Sequence, residues 1–498
     1  MNSLVSRASA GTYDRRWLTL AVVVAAQFMV VVDIAIVNVA LPSIKTDLHF
    51  SEASLQWVIT AYSILFGGVL LLGGRLADLL GRRRLLIAGV ALFAVSSLLA
   101  GLAWSSGSLI VFRAMQGLGG ALLSPAALSI LTTTFREGRE RNIALGIWGA
   151  ASGSGGAAGV LLGGALTSYL SWSWIFFVNV PVAAAIVAVT PLLVRESRAD
   201  VAHRTFDVAG ATTITTSLML LVYAMTRATQ HGWSDNVTVA SLAVSAGLAI
   251  AFVVIELRSK APLLPMRIFR LRTLSGANAT AVFLSSAVFS QFFLLTLYMQ
   301  QVLHYSAIQT GVAYIGLTLS IIGFSVVAQT LATRIGARKV LPAGLLLSAV
   351  ALVMYARLPV NGHYFWDVFP AFILSGIGLA LSFVPVQIAS LTGVRTSEAG
   401  VASGLINTSQ QIGGAIGLAA ASTIATTFTS HYVSSHVGIS AGNGSALTYG
   451  FEIAFYVLAA LAAIGAVVAA VFIESQPRVP SEELSEAGEG RLALEAAA

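Results

Sequence analysis

From Leu55 to Ala103 the chain reads LQWVITAYSILFGGVLLLGGRLADLLGRRRLLIAGVALFAVSSLLAGLA. Two apolar runs, each near the roughly 20 residues that an α-helix needs to cross a bilayer, flank a short turn holding Gly74, Arg75, Asp78, Gly81 and the arginines Arg82, Arg83 and Arg84. A helix satisfies its own backbone polar groups, which lipid cannot do for it, so the stretch reads as two spanning helices joined by a basic turn. The alternation continues in both directions. Fourteen such runs lie between residues 17 and 473, and the gaps between them are too short for a folded domain. Composition agrees: 57% of residues are apolar and 10% charged, with a mean hydropathy of +0.85, whereas a soluble globular chain carries roughly 25% charge. The spare apolar surface must face lipid. A cytosolic enzyme, a secreted disulfide scaffold (the chain has no cysteine) and a disordered chain are excluded.

The formal charge of +7 raises nucleic acid as a partner, but the 28 cations, 25 of them Arg, sit in the short gaps between apolar runs. With the N-terminus inside, 24 cations fall on one side, while Lys45, Arg227 and Arg357 fall on the other and Arg113 lies within the fourth run. That is the positive-inside pattern. A missed or invented span would destroy it. The chain is therefore expected to cross the cell membrane fourteen times with both termini cytoplasmic, bound to no nucleic acid. The first run is no cleavable signal, because its 25 residues exceed the usual apolar core and carry Asp33.

The basic turn Gly74-Arg-Leu-Ala-Asp78-Leu-Leu-Gly81-Arg-Arg-Arg84 has an echo after the tenth run, Thr333-Arg-Ile-Gly336-Ala-Arg-Lys339. A repeat in the same orientation needs an even number of spans per unit. Six plus six leaves two, and the pair within 208–256 fits as an insertion. The expected units are a cytoplasmic tail 1–16, a six-helix bundle 17–195, a linker with two inserted helices 196–260, a second six-helix bundle 261–475 and a disordered tail 476–498. Duplicated halves facing one another are a recurring transporter plan, with the substrate site at their interface.

These motifs carry a resemblance. The turn 74–84, the first-run stretch Asp33-Ile-Ala-Ile-Val-Asn-Val-Ala-Leu-Pro42, the fourth-run stretch Leu109-Ile-Val-Phe-Arg113-Ala-Met-Gln116-Gly117, and Gly146, Gly155, Gly159, Gly163 and Gly164 in the fifth run are similar to the major facilitator superfamily. Within it, the chain resembles the fourteen-span drug:proton antiporter branch over about residues 15–475. Val160, Ser173 and Gln410 depart from the branch, where proline, arginine and arginine are usual. The resemblance implies an all-α membrane protein of the major facilitator fold, two six-helix bundles plus two inserted helices. It also implies proton coupling through Asp33 and Arg113, a gating loop of Gly74, Asp78, Gly81 and Arg82, and a fifth helix whose glycines serve as hinge and seal between the halves.

The residues support these roles in their own terms. Asp33 is the one acid well inside a run, and a carboxylate at that depth is costly and functional by default; a structural hydrogen bond is the competing reading. Arg113, Gln116, Gly117, Gly120 and Ser124 share one helical face, and a fixed ion pair is the competing reading for Arg113. Gly155, Gly159 and Gly163 form a small-residue ridge suited to close helix packing. Asp78 can pair with Arg82 or with the positive N-terminus of a facing helix. Asn38, Gln116, Trp148, Phe289, Phe293, Asn407 and Gln411 are the candidate walls of a substrate cavity. The three lysines follow Ile44, Ser259 and Arg338, so no Gly-Lys phosphate loop exists, and the seven histidines make no metal-site spacing. The expected protein is no enzyme and needs no cofactor or ATP. It is a monomer that exports lipophilic, often cationic, drugs or antibiotics in exchange for protons. Export of an endogenous lipid or metabolite, and proton-coupled uptake, stay open as alternatives.

Overall fold

A computed structural model of the chain describes residues 2–50, 52–55, 57–198, 207–259, 262–436, 440 and 442–474. Arg204, Lys260 and the expected tail 476–498 lie outside them. Among the described residues every regular element is helical, and fourteen helices are long and apolar enough to cross a membrane.

In chain order these are α1 (Arg15–Asp47), α2 (Trp57–Leu80), α3 (Arg82–Gly101), α4 (Ser106–Thr134), α5 (Arg139–Tyr169), α6 (Trp174–Leu193) and α7 (Val208–His231). There follow α8 (Asn236–Arg258), α9 (Arg272–Val302), α10 (Ile308–Ile335), α11 (Ala337–Ala356), α12 (Tyr364–Leu391), α13 (Thr396–Ser435) and α14 (Gly444–Phe472). The helix that contains α1 begins at Asn2, so the backbone of 2–14 continues the helix where sequence suggested a tail. No proline precedes Pro42 to break it.

Local chemistry sets the breaks. Ser105 and Ser306 open α4 and α10 as capping boxes, each side chain accepting from the backbone N–H three residues on. Gly81 separates α2 from α3 with φ at +112°, a conformation that side-chain-bearing residues avoid.

Helices α1 to α6 form one bundle, in which α2 and α3 pack on α4 and α1 packs on α5. Helices α9 to α14 form the second, with α9 on α13 and α11 between α12 and α14. The bundles meet along two seams, α5 against α10 and α2 against α13. The inserted pair α7 and α8 pack on each other, tied by reciprocal bonds from Ser217 Oγ to Ser245 O (2.7 Å) and from Ser245 Oγ to Ser217 O (2.8 Å). α7 also touches both α2 and α13, so the insertion lies over one seam.

Candidate functional site

The Asp33 side chain is wholly buried between four helices of the first bundle. Arg113 of α4 donates from Nη1 to Asp33 Oδ2 at 2.7 Å, and Gln116, one turn on, donates from Nε2 to Oδ1 at 2.7 Å. Asn179 of α6 adds a third bond to Oδ1 at 2.8 Å. Ser97 of α3 accepts from Gln116 and Asn179 at 3.2 and 3.1 Å and donates to Phe176 O at 2.9 Å. Arg113 is 1% exposed. It is anchored independently of Asp33, donating from Nε to Val58 O (3.1 Å) and from Nη1 to Gln116 Oε1 (2.7 Å), with its guanidinium 4.3 Å from the centre of the Tyr62 ring. A buried ion pair holds only when its remaining lone pairs and protons are satisfied, and here neutral amides and a backbone carbonyl complete that shell. The Arg113 and Gln116 face therefore meets Asp33 directly. Asn179, Ser97 and Tyr62 belong to the same cluster and were not anticipated.

A second charged cluster lies at the end of the molecule that carries the arginine-rich turns. Asp78, at the last turn of α2, accepts from Arg82 Nη2 at 2.7 Å, and its two oxygens accept from Gly400 N and Val401 N, both at 3.1 Å. Those amides open the long helix of α13 in the opposite bundle, where the N–H groups lack intrahelical partners and the helix dipole favours a negative charge. Arg82 Nη2 also reaches Thr396 O at 2.7 Å. Gly74 lies against Gly400, so closely that a side chain on either would strike the other's backbone. Other bonds join the bundles at this same end: Arg141 Nη2 to Leu391 O (3.3 Å), Asn142 Nδ2 to Thr333 Oγ1 (3.1 Å) and Gly393 N to Glu137 Oε1 (3.2 Å). The basic end is latched shut.

The fifth-helix glycines divide between two neighbours. The ridge expected between the halves faces α1 instead, within its own bundle: a Cβ on Gly155, Gly159 or Gly163 would lie 2.7, 2.7 or 2.8 Å from Val31, Ala35 or Ile36. Gly146, together with Gly149 and Gly153, faces the other bundle, about one methyl group from Gln329, Val384 and Ile321. Gly164 is buried. The spacing registers a small-residue stripe but not which helix covers it.

The candidate cavity residues also divide. Gln116 and Trp148, expected on the wall, are buried with 0% and 1% exposure, Gln116 inside the first bundle because the Asp33 carboxylate claims its amide. Asn407 is buried and donates to Ser403 O of its own helix at 2.8 Å. Asn38, Phe289 and Phe293 are exposed and Gln411 is half-buried. Among the described residues no group of His, Cys, Asp and Glu is placed to hold a metal ion.

Two packed bundles of spanning helices, with a charged pair sealed inside one and a polar latch between them, are the build of a multi-pass membrane transporter. The chain belongs to the Major Facilitator Superfamily, whose family pattern matches residues 23–418. It is 38% identical over 480 residues to the puromycin resistance protein pur8 of Streptomyces alboniger, covering 96% of this chain and 95% of that one. It is 38% identical to the cephamycin export protein CmcT of Amycolatopsis lactamdurans (83% and 87% covered) and 34% identical to the tetracenomycin C resistance and export protein of Streptomyces glaucescens (82% and 76%). The crystal structure of the human organic anion transporter MFSD10 (TETRAN) shares the fold, with a TM-score of 0.63 at 16% identity over 91% of this chain and 99% of that one.

Proposed function

We propose that the protein is a proton-coupled antiporter that exports lipophilic, antibiotic-like molecules by alternating access. The observation that carries this reading is the Asp33 carboxylate, buried at membrane depth and tied to a cation on another helix. Protonation of Asp33 would release Arg113 from its anion while leaving it held by Val58 O and Gln116 Oε1. The centre can thus change charge without coming apart, and the altered pairing between α1 and α4 is what proton binding delivers to the bundle.

In this reading the basic end faces the cytoplasm, with both termini, and the protein sits in the cell membrane. The Asp78 latch holds the inner side shut while protons enter and cargo leaves outside. Cargo between the bundles meets Asn38, Phe289, Phe293 and Gln411. The relatives named for resistance and export support both the outward direction and the class of cargo. The energetics suit a modest pump: one proton supplies about 1.4 kcal/mol per pH unit and about 2.3 kcal/mol per 100 mV if net charge moves. One-for-one exchange with a monovalent cation moves no net charge, so it runs on the pH gradient alone.

Everted vesicles with pH and voltage clamped separately test the reading. Wild type is expected to accumulate a monovalent, permanently charged lipophilic quaternary ammonium ion only when the lumen is acidic, and Asp33→Asn not at all. Accumulation driven by voltage without a pH gradient would sink the one-proton exchange, and gradient-driven transport by Asp33→Asn would sink the coupling role.

A further inference from the structure

The inserted helices α7 and α8 take no part in the Asp33 centre, yet their basic end gathers a second group of charges, with Glu256 and Arg75 buried and Asp207 half-buried. Asp207 caps α7, its Oδ1 accepting from Gly210 N at 2.7 Å, while its Oδ2 is buried without a hydrogen-bond partner. Glu256, near the end of α8 and 4% exposed, accepts from Leu263 N and Leu264 N at 3.1 and 3.2 Å. The two carboxyl groups converge on Gly210, where a Cβ would lie 2.8 Å from Glu256 Oε1 and 3.0 Å from Asp207 Oδ2. Arg75 of α2 completes the group. Only 9% exposed, it lies two turns beyond Gly68 on the face of α2 that packs on Thr215 and Met219 of α7, and it makes no hydrogen bond or ion pair among the described residues. Of the other cations nearby in the chain, Arg204 and Lys260 lie outside the described residues, Arg258 is exposed and Arg267 is bound to Glu398 at 2.6 Å.

We propose that Asp207 and Glu256 form a second proton-binding site, separate from the Asp33 centre, in which the two carboxyl groups hold one proton between them and Arg75 takes its place when it leaves. Two carboxylates that meet across Gly210 each raise the cost of ionising the other, and Asp207 Oδ2 is the oxygen left without a hydrogen-bond partner among the described residues. With the proton present, the pair carries a single negative charge, which the amides of Gly210, Leu263 and Leu264 already face. With it gone, the excess negative charge draws the guanidinium into contact. Arg75 follows Gly74, which packs on Gly400 of the opposite bundle, so the exchange acts on α2 at the latch. The site goes beyond the antiport reading and stands without it.

Infrared titration of the solubilised full-length protein reads protonated carboxyl groups directly. Difference spectra of wild type against Glu256→Gln and against Asp207→Asn are each expected to show the loss of one protonated-carboxyl band, because removing either charge lets the other group ionise. Arg75→Gln should keep the band to a pH about one unit higher, a shift that an arginine serving only to pack would not produce. A wild type lacking the band, a band that survives either carboxyl substitution, or an Arg75→Gln titration that superimposes on wild type overturns the proposal. Failure of the antiport reading appears elsewhere, in vesicle flux by Asp33→Asn, a variant that leaves this band in place.

Discussion

Three side chains donate to Asp33, and only Arg113 among them is charged. Replacing Asp33 by Asn therefore leaves a buried guanidinium without its anion, a change that typically costs about 3–5 kcal/mol. Replacing both partners removes the uncompensated charge. The expected outcome is that Asp33→Asn lowers the thermal unfolding temperature, that Asp33→Asn with Arg113→Gln recovers most of it, and that neither variant transports. Unfolding and vesicle flux measured on the same preparations check this, and recovered transport in the double variant would reduce the pair to a structural tie. At this scale the sequence is legible where charge is out of place. Asp33 and Arg113 stand out in apolar runs, and the helical repeat links Arg113 to Gln116. Asn179 and Ser97 carry no such signal, because small neutral polar residues are frequent in spanning helices, and only the fold brings α3 and α6 to the carboxylate.

The fifth helix has two faces with different neighbours, and substitutions on them should separate. Gly159→Ala puts a methyl group 2.7 Å from Ala35 Cβ and Val32 O, forcing α1 and α5 apart within one bundle at a cost of about 1–3 kcal/mol. Loss of thermal stability is expected, with loss of transport following from it. Gly153→Val meets Ile321 across the seam at 3.0 Å. That variant should transport poorly while unfolding close to wild type, since only the contact between bundles is crowded. The turn between α7 and α8 gives a pH prediction. Arg227 Nε donates to Asp235 at 2.7 Å, and with the Thr238 amide this holds the Asp235 carboxyl down at about 2. A depressed carboxyl contributes stability above the ordinary carboxylate range and loses it as pH falls toward 2. Arg227→Gln should move the Asp235 midpoint up toward the ordinary value, read by titrating its labelled carboxyl carbon; an unmoved midpoint would mean that the Arg227 contact is not what holds it. Element by element, span number and order were legible because lipid demands long uncharged runs and the loops carry the charge. Which helix covers each stripe was not, because a glycine ridge fits any close neighbour.

Across the whole molecule, the bonds between bundles at the basic end define one closed state. Asn142 and Thr333 touch at 3.1 Å from opposite bundles, and the natural chain has no cysteine to interfere. Asn142→Cys with Thr333→Cys, once oxidised, should hold this end shut and stop transport, and a reducing agent should restore it. Undiminished flux in the fully cross-linked protein would mean that the bundles need not part here. The duplicated plan could be read from two echoing basic turns and the parity of the spans. The latch could be foreseen only as two candidate partners for Asp78, and the structure shows it holding both.

Half of that closure is main chain. The donors at Gly400 and Val401 exist whatever side chain follows, proline apart, so inheritance cannot easily erase them. Lineages are free to remodel the chamber wall toward new compounds while the door keeps its bolt, and resistance can diversify without each innovation having to reinvent how the passage shuts.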